Sequence, residues 1–295
     1  MSTLAAAVGR ICGAEVRSLT PVTGGDINEA HRAELADGRR VFVKTHPEAP
    51  PGMFAAEAAG LAWLSEPDAV RIPSVIGVHD PLEPTEGDDG PRLLVLEWIE
   101  RAHANATHDE ELGRALAQLH RSGAPTFGLE RGTGNWVGAI AQPNANHATW
   151  GGFYAHERLD PLVVRATERG LLPGDARPRF GALYERLDDL YPAAEPPARL
   201  HGDLWGGNAM TDEHGAPVLI DPAVYGGHRE MDLAMMQLFG GFSSRVFAAY
   251  DEVHPRLEGH ADRVALHQLY PLLVHTLLFG GSYAAATLRA LDPYA

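Results

Sequence analysis

The sequence predicts an α+β fold with two lobes: a small β-rich lobe over residues 1–98 and a larger, mainly helical lobe over residues 99–295. In the first part, short runs rich in β-branched and aromatic residues alternate with turn signals. In the second part, apolar residues recur at spacings of three and four. Strands that come first and helices that come afterwards are typical of an α+β chain.

The first lobe is expected to contain strands and one helix. Residues 16–21 and 27–35 are predicted to be strands, and an Ala-Asp-Gly hairpin signal leads into a third strand that carries Lys44. After a Pro-Pro-Gly break, apolar residues at spacings of four and three predict a helix over Met53–Leu64. The continuous apolar run Leu93–Trp98 is predicted to be the last strand of this lobe.

The second lobe begins with a helix whose start is marked by a capping box between Thr107 and Glu110. Residues 123–152 are rich in Gly, Asn, Pro and Trp, and they form an unusually long loop for which a functional role is expected. Further helices are predicted over 153–170, over 176–191, from residue 229 onward and over 243–291.

Composition restricts the possible partners and location. The formal net charge of −15 argues against a nucleic-acid or anionic-membrane partner, since both require a basic footprint. The one cysteine, Cys12, excludes an internal disulfide and a cysteine-based zinc site. No signal peptide is visible, and the most apolar run, Leu269–Phe279, is too short to span a bilayer. A soluble cytoplasmic enzyme is therefore expected.

The strongest functional signal is HGDLWGGN at residues 201–208, followed by an Asp-Pro-Ala sequence that starts at Asp221. It fits H-x-D-L-x-x-x-N, the catalytic-loop pattern of kinases. Phosphoryl transfer needs a carboxylate to accept the acceptor's proton, and hard oxygen ligands for Mg²⁺. We therefore predict that Asp203 is the catalytic base and that Asn208 and Asp221 bind Mg²⁺. A hairpin predicted over residues 210–220 would bring both ligands to adjacent strand ends.

A second, independent signal is the position of the single lysine. The chain contains 23 arginines and one lysine, Lys44, which lies in a short β-rich run. Kinases use a lysine on their third strand to bridge the phosphates of ATP, a task that suits a compact ammonium. We predict that Lys44 contacts these phosphates and that Glu57, on the following helix, is its ion-pair partner. The backbone N–H groups of Gly24 and Gly25 are expected to approach the same phosphates.

Several other residues are assigned supporting roles. Glu97, Trp98 and Ile99, where the lobes are expected to join, are predicted to offer backbone groups to the edge of adenine. Asp232 is predicted to accept backbone N–H bonds from the catalytic loop, with a simple helix N-terminal carboxylate as the alternative. The histidines near the motif show no zinc-like spacing and are expected to be structural or exposed: His201, His214, His228 and His254.

These residues resemble those of the fructosamine kinase (ketosamine-3-kinase) family, a branch of the aminoglycoside phosphotransferase and choline kinase-like proteins with a protein-kinase-like fold. The specific marks are Trp205 inside the catalytic loop and the run DPAVYGGHRE that starts at Asp221. The resemblance covers nearly the whole chain. Further matching segments are 24–28, 42–44, 53–57, 94–97, 135–144 and 279–283.

The resemblance implies phosphorylation of the sugar 3-hydroxyl of free or protein-bound ketosamines, with ATP and Mg²⁺. The resulting 3-phosphate is labile, so the sugar leaves and the amine is restored, which amounts to deglycation. Carried onto this chain, Asp203 would deprotonate the 3-hydroxyl and Trp205 would pack against the sugar. Some relatives carry a cysteine where this sequence has Asp26, so a thiol switch at that position is not carried over.

Two other functions remain open at this point. One is a kinase of the same fold that acts on an aminoglycoside or an amino alcohol. The other is a nucleotide-binding pseudokinase that serves as a scaffold, although the complete set of predicted catalytic residues argues against it. Aromatic and amide side chains suit the faces and hydroxyls of a sugar, and the further candidates for acceptor binding are Asn135, Trp136, Trp150, Tyr154, His275 and Tyr283.

Overall fold

The computed structural model describes residues 3–22, 28–83, 90–129, 133–191 and 194–295. The helices of these residues are α1 Thr3–Cys12, α2 Met53–Ser65, α3 His108–Arg121, α4 Trp150–Phe153, α5 Asp160–Glu168, α6 Ala176–Tyr184, α7 Glu230–Phe239, α8 Ser244–Val253, α9 His260–Phe279 and α10 Ser282–Leu291. The strands are β1 Val16–Pro21, β2 Glu29–Leu35, β3 Arg40–Thr45, β4 Val75–His79, β5 Leu93–Glu97, β6 Asn135–Val137, β7 Ile140–Gln142, β8 Ala198–Leu200, β9 Ala209–Thr211, β10 Pro217–Leu219 and β11 Tyr225–Gly227. A π-helical segment, Tyr154–Leu159, connects α4 to α5. The predicted α+β class is confirmed.

The chain forms two compact units. The first consists of Met1–His108 and Met210–Pro222, and the second of Asp109–Ala209 and Ala223–Ala295. Two hydrogen bonds attach the β9–β10 hairpin to the first unit. Leu219 N–H donates to the Arg71 carbonyl at 3.1 Å, and Nη1 of Arg71 donates to Asp212 Oδ2 at 2.6 Å. The lobe division predicted between residues 98 and 99 stays a prediction.

The first unit is built on a five-stranded antiparallel sheet in the order β1-β2-β3-β5-β4. The central strand β3 places Lys44 opposite Ala30 of β2 and Leu94 of β5. On one face, Val41 and Val43 of β3 pack in a common apolar cluster with α1. Because side chains alternate along a strand, Lys44 points to the other face.

Two local predictions, one in each unit, differ from the structure. The first lobe was expected to hold one helix, but α1 is helical as well, and it buries Ala5, Ala7, Val8 and Cys12 against the sheet. The segment 123–152, expected to be a long loop, contains the β6–β7 hairpin and the start of α4.

Among the described residues, no helix combines the length and apolar character needed to cross a membrane.

The second unit has a core of helices in which α9 is central. Pro271 lies inside α9 and has no N–H group, so the carbonyl of His267, four residues earlier, loses its helical partner. The hydroxyl of Tyr154 donates to the His267 carbonyl at 3.3 Å and to the Leu266 carbonyl at 2.7 Å. The fully buried Tyr154 therefore satisfies the backbone where proline interrupts the helix.

Candidate active site

The ammonium of Lys44 is buried and contacts two carboxylates. Its Nζ donates to Glu57 Oε1 and Oε2 at 2.9 and 2.8 Å, and to Asp221 Oδ1 at 3.1 Å. Strand β3 supplies the lysine, α2 supplies Glu57, and Asp221 follows β10. The fold thus brings together three of the predicted site residues, one of them 177 positions away from Lys44.

This cluster holds one positive charge and two negative charges. Burial lowers the pKa of Lys44, but the carboxylates of Asp221 and Glu57 more than offset it, so the pKa lies above its ordinary value. Burial raises the pKa of Glu57, Lys44 lowers it and Asp221 raises it, and the net shift is upward. An ammonium shared by two carboxylates leaves excess negative charge, which favours a further cation beside Asp221.

The backbone of Asp221 adopts an unusual conformation. Its φ of 53° lies in the left-handed region, which few residues other than glycine occupy, although aspartate tolerates it better than most. Such conformations persist only where the surrounding structure enforces them, and they cluster at functional sites. The hydrogen bonds between Arg71 and the β9–β10 hairpin fix the strand that leads into this residue.

The catalytic-loop motif follows β8 and requires a glycine at its second position. Gly202 has a φ of +83°, and a Cβ atom there would lie 2.0 Å from the Ala223 carbonyl oxygen. A hydrogen bond of 2.9 Å from Ala223 N–H to the His201 carbonyl holds the same two backbone segments together. The loop therefore packs directly against the backbone that follows Asp221-Pro222.

Asp232, near the start of α7, holds the beginning of this loop. Its carboxylate accepts hydrogen bonds from the backbone N–H groups of His201 at 2.8 Å and Gly202 at 2.9 Å. The ring of His120 lies 3.2 Å from the same carboxylate. Burial raises the pKa of Asp232, but His120, His201 and the Gly202 N–H together hold it below its ordinary value.

Asp203 and Asn208 are joined to each other within the loop. The Nδ2 group of Asn208 donates to the Asp203 carbonyl oxygen at 2.8 Å and to Asp203 Oδ2 at 3.2 Å. Since the nitrogen of the amide makes both bonds, the oxygen of Asn208 is its atom suited to a metal ion. This contact also limits the rotation of the Asp203 carboxylate.

Among the residues that the structure describes, Trp205 is one of the few large apolar ones that are exposed, with 41% of its surface accessible. Its ring folds over Gly207, where a Cβ would lie 2.3 Å from the indole. The neighbouring Gly206 packs on Gly241, just after α7, where a Cβ on Gly206 would lie 3.2 Å from the Gly241 Cα. The two glycines allow an aromatic face to remain at the surface of a tightly packed loop.

The other predicted nucleotide-contacting residues are placed as follows. Gly24 and Gly25 lie outside the described residues. The Glu97 side chain is 3.3 Å from Arg71, and Trp98 Nε1 donates to Glu100 at 3.1 Å. The predictions for Glu97, Trp98 and Ile99 concern backbone groups, and they are independent of these side-chain contacts.

The aromatic candidates for acceptor binding divide into two groups. Trp150 and Tyr154 are buried in the core with their rings stacked at 5.0 Å, so they are packing residues rather than acceptor contacts. Trp136, Tyr283 and His275 are only partly buried, and the ring centres of Tyr283 and His275 are 5.0 Å apart. Their neighbour Phe279 is 56% exposed.

A buried polar network supports the segment after Asp221 and was not predicted from the sequence. Arg158 is fully buried, with its guanidinium 3.9 Å above the Tyr225 ring and a hydrogen bond of 2.6 Å to Asn144. Asn135 donates to the Val224 carbonyl at 2.9 Å, and Gln142 donates to the Ala223 carbonyl at 3.1 Å. Arginine is rarely buried, so the burial of Arg158 could not be predicted from the sequence.

Three buried residues of the second unit could in principle hold a metal ion. Ligand atoms of His228, Glu230 and His267 all lie within 4.8 Å of one another. However, Arg263 already binds both oxygens of Glu230, at 2.8 and 2.9 Å. A guanidinium in this position competes with a cation for the carboxylate, which favours a structural ion-pair network.

We expect the melting temperature to fall as the pH drops from about 7 to about 5, because several buried or half-buried histidines must stay neutral in the folded protein. Burial, followed by the charge of Arg229, lowers the pKa of His254 to about 4. Burial likewise lowers the pKa of His228 and the pKa of His267. The unfolded chain takes up these protons below about pH 6.5 and the folded one does not, so stability is lost as the pH falls.

Thermal unfolding at constant ionic strength across this range measures the effect. The variant His228→Gln should show a shallower dependence than the wild type. As a control, His214→Gln replaces a side chain that is 79% exposed and should leave the dependence unchanged. A melting temperature that stays level or rises on acidification would contradict the expectation.

Comparison with known proteins places the chain in a family. The family model for fructosamine kinase matches residues 2–294. A probable ketoamine kinase from Enterococcus faecium is 37% identical over 275 residues, which cover 93% of this chain and 94% of that protein. The chloroplastic protein-ribulosamine 3-kinase of Arabidopsis thaliana is 32% identical over 288 residues, covering 95% of this chain and 83% of that protein.

Solved structures agree with this assignment. The crystal structure of a candidate fructosamine-3-kinase from Thermobifida fusca matches with a TM-score of 0.87 and 39% identity, covering 99% of this chain and 98% of the other. Choline kinase LicA from Streptococcus pneumoniae, at 15% identity and a TM-score of 0.60 over 98% of this chain and 97% of its own, shares the protein-kinase-like fold. The resemblance read from the sequence is confirmed, and the chain belongs to the fructosamine kinase family.

Proposed function

We propose that this protein transfers the γ-phosphoryl group of ATP to the 3-hydroxyl of ketosamine sugars. The observation that carries the proposal is the pairing of the buried ammonium of Lys44 with Glu57 and Asp221 in a chain of the fructosamine kinase family. Relatives named as a ketoamine kinase and a protein-ribulosamine 3-kinase support ketosamines as the class of acceptor.

On the nucleotide side, Lys44 contacts phosphate oxygens and Glu57 holds its ammonium in place. A lysine paired with two carboxylates keeps its charge, and its contacts limit its orientation. Backbone groups of residues 97–99 bind the adenine edge.

Asp221 and Asn208 have the donor chemistry for Mg²⁺, since a carboxylate and an amide oxygen are hard ligands. The Asp221 side chain is 40% exposed and belongs to a cluster with excess negative charge. The amide nitrogen of Asn208 is held by Asp203, so its oxygen is the ligand atom. When bound, ATP and Mg²⁺ supply the phosphoryl group and neutralise the charge of its oxygens.

On the acceptor side, Asp203 takes the proton of the 3-hydroxyl while the sugar oxygen bonds to the γ-phosphorus and the bond to the bridging oxygen of ADP breaks. Asp232 keeps the loop in place through the two N–H groups that it binds. Trp205 offers an exposed aromatic face against which the sugar packs.

The product explains why such a reaction would be useful. Removal of a proton from carbon 1 converts the C2 ketone of the ketosamine into an enol. The enol expels the phosphate on carbon 3 as inorganic phosphate, and water then releases the sugar from the amine. The free or protein-bound amine is then restored, and the enzyme acts in deglycation.

The test is ³¹P NMR of the purified protein with ATP, Mg²⁺ and either fructosyl-lysine or ribulosyl-lysine, beside an aminoglycoside control. A new sugar-phosphate resonance that decays while free lysine appears is the expected result. Phosphorylation of the aminoglycoside alone would overturn the acceptor. ATP–Mg²⁺ binding without turnover of any acceptor would favour a pseudokinase.

A further inference from the structure

The helix that carries Glu57 lacks a cap of its own. Gly52, which precedes the first helical residue Met53, has no side chain and a φ of 84°, so it provides no capping hydrogen bond. The first N–H groups of a helix have no partners within it and require acceptors from elsewhere. In α2 these N–H groups donate to a residue that follows strand β4.

That residue is Asp80, which directly follows β4 and has a fully buried side chain. Its carboxylate accepts hydrogen bonds from the N–H groups of Gly52 at 3.1 Å, Phe54 at 2.7 Å and Ala55 at 3.0 Å. A negative charge at this end also complements the helix dipole. Asp80 thus caps α2 from a distance of 25 to 28 residues along the chain.

Asp80 is in turn connected to the strand that carries Lys44. Arg92 Nε lies 3.1 Å from Asp80 Oδ1, and the carbonyl of Arg92 accepts a 2.7 Å hydrogen bond from the hydroxyl of Thr45. Thr45 is the residue after Lys44. A closed ring of contacts therefore runs from Lys44 through Glu57, α2, Asp80, Arg92 and Thr45 back to Lys44.

The physical effect of such a distant cap differs from that of a local one. A Ser or Asp at position 52 would stabilise the helix but would move with it, leaving its place on the sheet undetermined. Asp80 fixes the helix start relative to β4, and Glu57 lies only four residues after that start. The strength of an ion pair and of oriented contacts depends steeply on such placement.

We propose that Asp80 is a positioning residue for nucleotide binding: by holding the start of α2, it keeps Glu57 against Lys44. The inference rests on the proposed phosphate-binding role of Lys44. Through this ring of contacts, loss of a carboxylate that touches no substrate lowers the affinity of the protein for ATP–Mg²⁺.

The experiment measures binding of a non-hydrolysable ATP analogue with Mg²⁺ by calorimetry, in Asp80→Ala, Asp80→Asn, Glu57→Gln and the double variant Asp80→Ala/Glu57→Gln. We expect Asp80→Ala to weaken binding roughly tenfold, and Asp80→Asn, which keeps one acceptor oxygen, to weaken it less. In the Glu57→Gln background, removing Asp80 should cost little more, because both changes disrupt the same ring.

Asp37→Ala is the matched control. Asp37 also accepts a backbone N–H and pairs with an arginine, Arg39, but it lies in the β2–β3 hairpin. The Asp37→Ala variant should bind the ATP analogue as the wild type does. Thermal unfolding of each variant shows which are folded at the temperature of the titration, and Asp80→Asn carries the test if Asp80→Ala unfolds.

Wild-type affinity in a folded Asp80 variant would overturn the inference, and so would losses from Asp80 and Glu57 that simply add. Binding is measured without an acceptor, so a failure of the ketosamine assignment in the NMR experiment leaves this test intact. If the wild type itself does not bind the analogue, the proposed function fails and the inference fails with it.

Discussion

Replacing Asp203 with asparagine is expected to lower the turnover number by about 10²–10⁴-fold, the usual contribution of a general base, while ATP–Mg²⁺ binding stays nearly unchanged. An amide cannot accept the proton of the acceptor hydroxyl. The local structure should survive, since Asn208 Nδ2 donates to the Asp203 backbone carbonyl and to one side-chain oxygen, and an amide retains both acceptors.

The comparison variant is Asp221→Asn, which removes a charge from the cluster around Lys44 rather than from the acceptor side. It should weaken binding of the ATP analogue with Mg²⁺, whereas Asp203→Asn should not. Steady-state kinetics with a ketosamine and calorimetry with the analogue separate the two effects. Normal turnover in Asp203→Asn would remove this residue from its role as the base.

Short-range patterns predicted the parts of the candidate site that depend on local sequence. The loop at 201–208 and the hairpin after it are set by turn residues and strand patterns within about twenty positions, a range over which spacing is informative. The same holds for Lys44 and Glu57, which are 13 positions apart on consecutive elements. Their ion pair follows from a β-strand, a proline-glycine break and a helix.

Contacts that depend on the tertiary fold could not be predicted in this way. Nothing in the vicinity of Asp80 in the sequence indicates that it caps a helix that starts 27 residues earlier, because the cap exists only after β4 and α2 pack together. Arg158 is similar: its burial among aromatic rings depends on the π-helical segment that carries it. Trp150 and Tyr154 were candidates for acceptor binding but lie in the core, because aromatic residues suit both sugar binding and core packing and the sequence alone does not separate the two roles.

Lys44→Arg is the second variant with a large expected effect, even though it keeps the positive charge. The ammonium of Lys44 fits between Glu57 and Asp221 with three contacts of 2.8 to 3.1 Å in a buried site. A guanidinium is larger and planar, and it cannot take the place of a compact charge without displacing one of the carboxylates. We expect kcat/KM for ATP to fall by about 10²–10³-fold, as for the loss of one preorganised contact to a transferring group.

The matched control lies on the same strand. Arg40→Lys changes the same pair of residue types at a position where the side chain is 47% exposed and pairs with Glu100 at 2.7 Å. Exposed ion pairs contribute about 0–1 kcal/mol, so this variant should keep nearly full activity. Because β3 carries both residues, a large loss in Lys44→Arg beside an active Arg40→Lys can only reflect the cluster around the Lys44 ammonium. Wild-type kinetics in Lys44→Arg would mean that the position of the single lysine is coincidental and that the phosphates are bound by other groups.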